Sequence, residues 1–106
     1  MANVTIMQGD EYPLRIKITQ EGQPLDVENI EIVEIAIGQI RRKYPNTVYY
    51  DSASGEFIVQ LTQEVTFNFD GSQKMQIRVK FKESQYVVGE ELPVLNVKTS
   101  TSKEVL

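Results

Sequence analysis

The sequence contains no cysteine, no histidine and no tryptophan. Without cysteine there is no disulfide framework, no thiolate metal site and no thiol nucleophile. Without histidine the usual general base and the commonest metal ligand are both missing. Aromatic residues make up only 8% of the chain, so a platform for stacking sugars or bases has little to build on. Basic charge is also short. Eleven Lys and Arg stand against 15 Asp and Glu, a net charge of −4, and a protein that binds nucleic acid by neutralising phosphates needs the opposite balance. No window approaches the roughly 18 apolar residues of a membrane-spanning helix. The longest apolar-rich stretch, Ile30 to Ile40, is interrupted by Glu31 and Glu34. The opening Met1-Ala2-Asn3-Val4 has no basic segment leading into an apolar run, so no secretory signal is expected. The expectation is a soluble protein made in a cytoplasm.

The 106 residues suffice for one domain with one core. A hydrophobic share of 41% and a charged share of 25% are those of an ordinary globular chain, not a disordered one. Period-2 alternation dominates. Met75, Ile77, Val79 and Phe81 alternate with Gln76, Arg78, Lys80 and Lys82, giving a strand one dry face and one wet face. Leu14, Ile16 and Ile18 alternate in the same way with Arg15, Lys17 and Thr19, as do Phe57, Val59 and Leu61 with Ile58 and Gln60. Between Ile30 and Ile40 both helical and strand spacings fit, and the concentration of β-branched residues decides for a strand. Turns are expected at Gln20 to Pro24, Asp51 to Gly55, Asp70 to Ser72 and Glu83 to Gln85. The last of these would close a hairpin from the Met75–Phe81 strand onto Tyr86-Val87-Val88. Pro93, in or beside a final strand from Leu92 to Lys98, marks an edge or a bulge. One helical turn is expected at Thr62 to Val65, with Thr62 as its cap.

This pattern suggests an all-β fold, an antiparallel sandwich or small barrel, and of these a two-sheet antiparallel sandwich of seven or eight strands is the expectation. Residues 1–98 are expected to form the domain and 99–106 a C-terminal tail. The expected core is Leu14, Ile16, Ile18, Val33, Ile35, Ile37, Phe57, Val59, Leu61, Met75, Ile77, Val79 and Phe81.

Residues of the types that carry chemistry read mostly as structural. The adjacent pairs Asp10-Glu11 and Glu90-Glu91 point to opposite faces of an extended chain, so neither can flank a glycosidic bond by itself. Asp51 to Glu56 has the flavour of a calcium loop, but Gly55 stands at loop position 5, Ala53 at position 3, and Thr62 where the twelfth-position glutamate belongs. Ser100-Thr101-Ser102-Lys103 matches a serine–lysine motif only as letters at a chain end. No glycine-rich phosphate loop is present. Catalysis, cofactors and metals are therefore not expected. Arg78, Lys80 and Lys82 form a row on one strand face, with Glu34 a candidate cross-strand partner. The one basic run, Arg41-Arg42-Lys43, adjoins Tyr44, and Tyr49 and Tyr50 follow closely. Adjacent tyrosines on a strand cannot both face the core, so one is expected at the surface. Ile40, Arg41, Arg42, Tyr44, Tyr49 and Tyr50 are thus the candidate interface residues, of types enriched at interface hot spots.

The chain also resembles a known family. Gln8-Gly9-Asp10 leads into Leu14-Arg15-Ile16, and Gly22-Gln23-Pro24-Leu25-Asp26 precedes the next strand. Phe57-Ile58-Val59-Gln60-Leu61-Thr62-Gln63-Glu64 is a strand with its corner. Met75 to Phe81 and the ending Ser102-Lys103-Glu104-Val105-Leu106 complete the pattern. Together these resemble the N-terminal immunoglobulin-like domain of baseplate upper proteins from phages and prophages of Gram-positive hosts. The resemblance implies an all-β, antiparallel two-sheet Ig-like β-sandwich and a non-catalytic structural or assembly protein of a baseplate-type tail, in the virion or, expressed from a prophage, in the bacterial cytoplasm. Its partners would be other virion proteins or itself, through an edge strand or the region from Ile40 to Tyr50, with no nucleic acid or membrane involved. It supplies no ligand or catalytic residue to carry over. A free-standing Ig-like module binding a host protein or glycan is the alternative.

Overall fold

Strands form where apolar side chains alternate, and turns with Gly, Pro or Asp separate several of them. The computed structural model describes residues 3–20, 22–83 and 87–106. In chain order its strands are β1 (Val4–Met7), β2 (Tyr12–Lys17), β3 (Thr19–Gln20), β4 (Gln23–Pro24), β5 (Ile30–Ile37), β6 (Ile40–Tyr44), β7 (Tyr49–Asp51), β8 (Glu56–Leu61), β9 (Gly71–Phe81) and β10 (Val87–Lys98). A 3-10 turn at Val27–Asn29 precedes β5, and one short helix, α1 (Gln63–Phe67), follows β8. Thr62 caps that helix by accepting from the Val65 amide at 3.4 Å, as its position after β8 predicts.

Eight strands form two sheets, in the orders β1-β10-β9-β5-β6 and β2-β8-β7, while β3 and β4 make a separate small hairpin. Pairing is antiparallel except at one edge, where β1 runs parallel to the end of β10, Val4 opposite Leu95 and Met7 opposite Lys98. The expectation of a wholly antiparallel sandwich did not include this pair. A hairpin forces antiparallel strands, whereas β1 and β10 lie at opposite ends of the sequence and nothing local dictates their direction. The stretch from Ile30 is indeed a strand, and α1 sits at the expected turn.

Every residue of the expected core is buried except Ile18, which packs against it only partly because β2 ends at Lys17. The core also takes Ile6, Ile30, Val48, Phe69, Leu95 and Val97. The final strand is longer than expected. One strand covers both Val87-Val88 and Leu92 to Lys98, and its register on β9 shifts between Leu92 and Leu95, where Pro93 has no N–H to donate. Ser84, Gln85, Tyr86 and Glu21, parts of two expected turns and a strand start, lie outside the described residues. Beyond Lys98 the chain forms no strand or helix. Ser100 and Lys103 donate to Gln8 Oε1, and the Leu106 amide donates to Gln63 Oε1 at 2.7 Å.

Candidate interface

β6 is an outer strand of the five-stranded sheet, paired only with β5. Its register sets Ile40, Arg42 and Tyr44 opposite Ile37, Ile35 and Val33, on the face turned toward the second sheet. Arg41 and Lys43 therefore point the other way. The Tyr44 ring meets Phe57 edge-on at 5.4 Å, and Tyr50 of β7 meets the same ring at 5.0 Å. These two tyrosines close one side of the core around Phe57, which is 1% exposed. The chain passes between them through a cis Tyr44–Pro45 bond and buried Val48. Tyr49 is the exposed one of the adjacent pair, at 71%, on the outer face of the three-stranded sheet opposite Ile58.

The two arginines fold back on their own strand. Arg41 Nη1 donates to the carbonyls of Gly38 at 3.0 Å and Ile40 at 2.9 Å, and Arg42 Nη1 donates to the Arg41 carbonyl at 3.0 Å. Charged side chains laid along an edge strand obstruct strand addition. The six residues singled out from the sequence are therefore not one surface. Tyr44 and Tyr50 belong to the core wall, Ile40 is half-buried, Arg41 and Arg42 dress the β6 edge, and Tyr49 stands on a different sheet.

Several of the other acidic and basic candidates also have structural partners. Arg78 donates to Glu34 at 2.7 Å and Lys80 pairs with Glu31 at 2.9 Å across β9 and β5. Lys82 lies past the end of β9 and so leaves that row. Asp10 accepts from the Met7 amide at 2.9 Å within a turn. Asp51 turns back onto its own hairpin, accepting from the Ala53 amide at 3.1 Å and from Arg15, which also reaches Glu56. The Ser54 hydroxyl, close by though outside full hydrogen-bond geometry, the Ala53 amide and Arg15 together hold the Asp51 carboxyl below its ordinary range.

A surface that the sequence reading passed over is the first half of β10. β1 pairs only with Leu95 to Lys98, and the Val94 amide is taken by the Asn3 side chain at 3.1 Å. From Val87 to Leu92, β10 pairs with β9 on one side, and no described strand pairs with the other. Val87 and Val88 are 57% and 56% exposed, and Gly89, Glu90 and Glu91 are exposed beside them. A shallow, mostly apolar groove lined by Ile18, Leu25, Ile77, Val79, Phe81 and Val88, with Thr19 and Glu90 as its polar members, runs along the inner side of this edge. One signal was available in sequence: Val87 and Val88 are adjacent, so a strand through them must turn one to water.

Comparison with known proteins adds the family. A family model described as the BppU N-terminal domain matches residues 1–104. No curated protein matches the sequence. Among solved structures, the endo-β-1,4-mannanase from Thermotoga petrophila superposes with a TM-score of 0.61 at 12% identity, over 92% of this chain and 18% of that one. At that identity the likeness is one of fold, and this chain spans less than a fifth of the mannanase.

Proposed function

The chain belongs to the BppU N-terminal domain family, the N-terminal domain of phage baseplate upper proteins, and from that premise we propose that it is a non-catalytic structural or assembly component of a phage or prophage baseplate, working through protein–protein contacts. The observation that carries this reading is the family match along 1–104. The surface chemistry supports it. Asp10 and Asp51 are engaged in turns and Arg78 and Lys80 in cross-strand pairs, while an open strand edge and an exposed tyrosine are left for contacts. We take the sandwich to be of the immunoglobulin-like kind, with 1–98 as the folded unit and 99–106 as a tail. Its place is the virion, or the bacterial cytoplasm during expression from a prophage. Its partners are other virion proteins, and nucleic acid and membrane have no part in the assignment.

Mass spectrometry of gradient-purified particles from the phage or induced prophage that encodes the chain tests this. The reading requires peptides of the chain to co-sediment with tail proteins at a constant ratio across the particle peak. Their presence only in the soluble lysate would count against it.

A further inference from the structure

Strand edges in this sandwich are treated unequally. β6 is overlaid by Arg41 and Arg42, and β7 is only three residues long. β10 runs for 12 residues, of which β1 covers only the last four. On Val87 to Leu92 every second amide and carbonyl points away from β9, and no described strand meets them. Such a row of unpaired main-chain groups is a template for another strand. We propose that this half of β10 receives an extended segment of a neighbouring virion protein by strand addition, and that the segment sets an apolar residue beside Val88 and basic residues beside Glu90 and Glu91. This rests on the baseplate reading above.

The residues on the edge select that occupant. Register on β9 places Val88 and Glu90 opposite Val79 and Ile77, on the inner side, and Val87, Gly89 and Glu91 on the outer side. The inner side is the apolar groove that Val88 shares with Ile18 and Leu25. An incoming strand lays an apolar side chain beside Val88 there and a basic one beside Glu90, the alternate side chains through which strand addition gains specificity. Gly89 has no side chain to hinder close approach of a second backbone.

Charge decides between a partner and a second copy. Glu90 and Glu91 are both exposed, and neither has a hydrogen-bond or ion-pair partner among the described residues. Lys17 lines an adjoining hollow with Glu90 and Glu91 and forms an ion pair with neither. A second copy added antiparallel sets four carboxylates along one short ladder, and like charges across a strand pair are unfavourable. A strand bearing Lys or Arg at those positions gains from the same carboxylates. The acidic pair thus disfavours self-pairing and favours a basic segment, a repulsive and an attractive element acting on one edge.

Hydrogen–deuterium exchange, measured on the free chain and on the chain in purified particles, reads the edge directly. The expected result is fast exchange at every second amide between Val87 and Leu92 in the free chain, slowed about tenfold or more in the particle. A doubly charge-reversed variant, Glu90→Lys with Glu91→Lys, is expected to enter particles at least about tenfold less than a control with the same change in charge elsewhere, Glu11→Lys with Glu104→Lys, with an unchanged melting curve. Equal exchange of these amides in free and assembled chain overturns the proposal while leaving the baseplate reading intact. Protection already present in the free chain, with light scattering showing a dimer, overturns it in favour of a second copy. Absence of the chain from particles removes the baseplate reading and this proposal together.

Discussion

Thr66, fully buried on α1, donates its hydroxyl proton to the carbonyl of Asp10 at 2.8 Å, across 56 positions of sequence. The same oxygen accepts from the Gly9 amide at 2.9 Å. One hydroxyl therefore ties the short helix to the turn that joins β1 and β2. Thr66→Val keeps the shape but removes the hydrogen-bond partner of the part-buried Gly9 amide and of the Asp10 carbonyl, and the two lost bonds are expected to cost about 1–3 kcal/mol together. Thr66→Ser keeps the hydroxyl and is expected to lose less. Urea unfolding followed by circular dichroism measures both, and equal losses for the two variants would contradict the role given to the hydroxyl.

Gly9 stands in the same turn with φ of +87°. A Cβ there lies 2.6 Å from Phe67 Cζ, so alanine meets both a disfavoured backbone region and the helix it faces. Gly9→Ala is expected to destabilise by about 1–3 kcal/mol. Gly22, at φ +78° with no neighbour near its Cβ, isolates the backbone component of that cost. A Gly9→Ala melting point equal to that of Gly22→Ala would show that Phe67 yields without penalty.

Phe57 receives both Tyr44 and Tyr50, so Phe57→Ala is expected to cost about 3–5 kcal/mol. Tyr49→Ala, one residue from Tyr50 but facing water, is expected to change stability by no more than about 0.5 kcal/mol. Denaturation midpoints compare them. A Tyr49→Ala loss as large as that of Phe57→Ala would place β7 in the wrong register.

Asp51 gives a pH dependence of known sign. Its folded-state pKa is lowered, by the nearby Ser54 hydroxyl first and then by Ala53 and Arg15. The unfolded chain therefore takes up the proton first as pH falls. Asp51 contributes stability above its unfolded pKa and loses it as pH drops through the folded value. Asp51→Asn is expected to flatten the decline in urea midpoint between about pH 5 and pH 2. An unchanged or steeper slope would contradict the assignment.

Much of this fold was legible because side chains with one dry and one wet face encode a strand directly. Leu14 and Ile16 in β2, Phe57 to Leu61 in β8 and Met75 to Phe81 in β9 all lie as their alternation requires. Ile18 did not, because alternation continues past the residue where pairing ends. The parallel seating of β1 was invisible, since Ile6 against Val97 is a contact between chain ends with no local signature. The interface was least legible. Tyr44, Tyr49 and Tyr50 carry the same letter, yet two wrap Phe57 and one faces water, a distinction set by which sheet each strand joins. Val87 to Glu91 breaks the alternation that marks half-buried strands, and so an edge strand open on one side went unread.

Immunogold electron microscopy of purified particles, with an antibody to this chain, tests the central claim most directly. The account predicts label concentrated at the end of the tail distal to the capsid. Label on capsids, or particles that stay unlabelled while the chain is plentiful in the lysate, would contradict it.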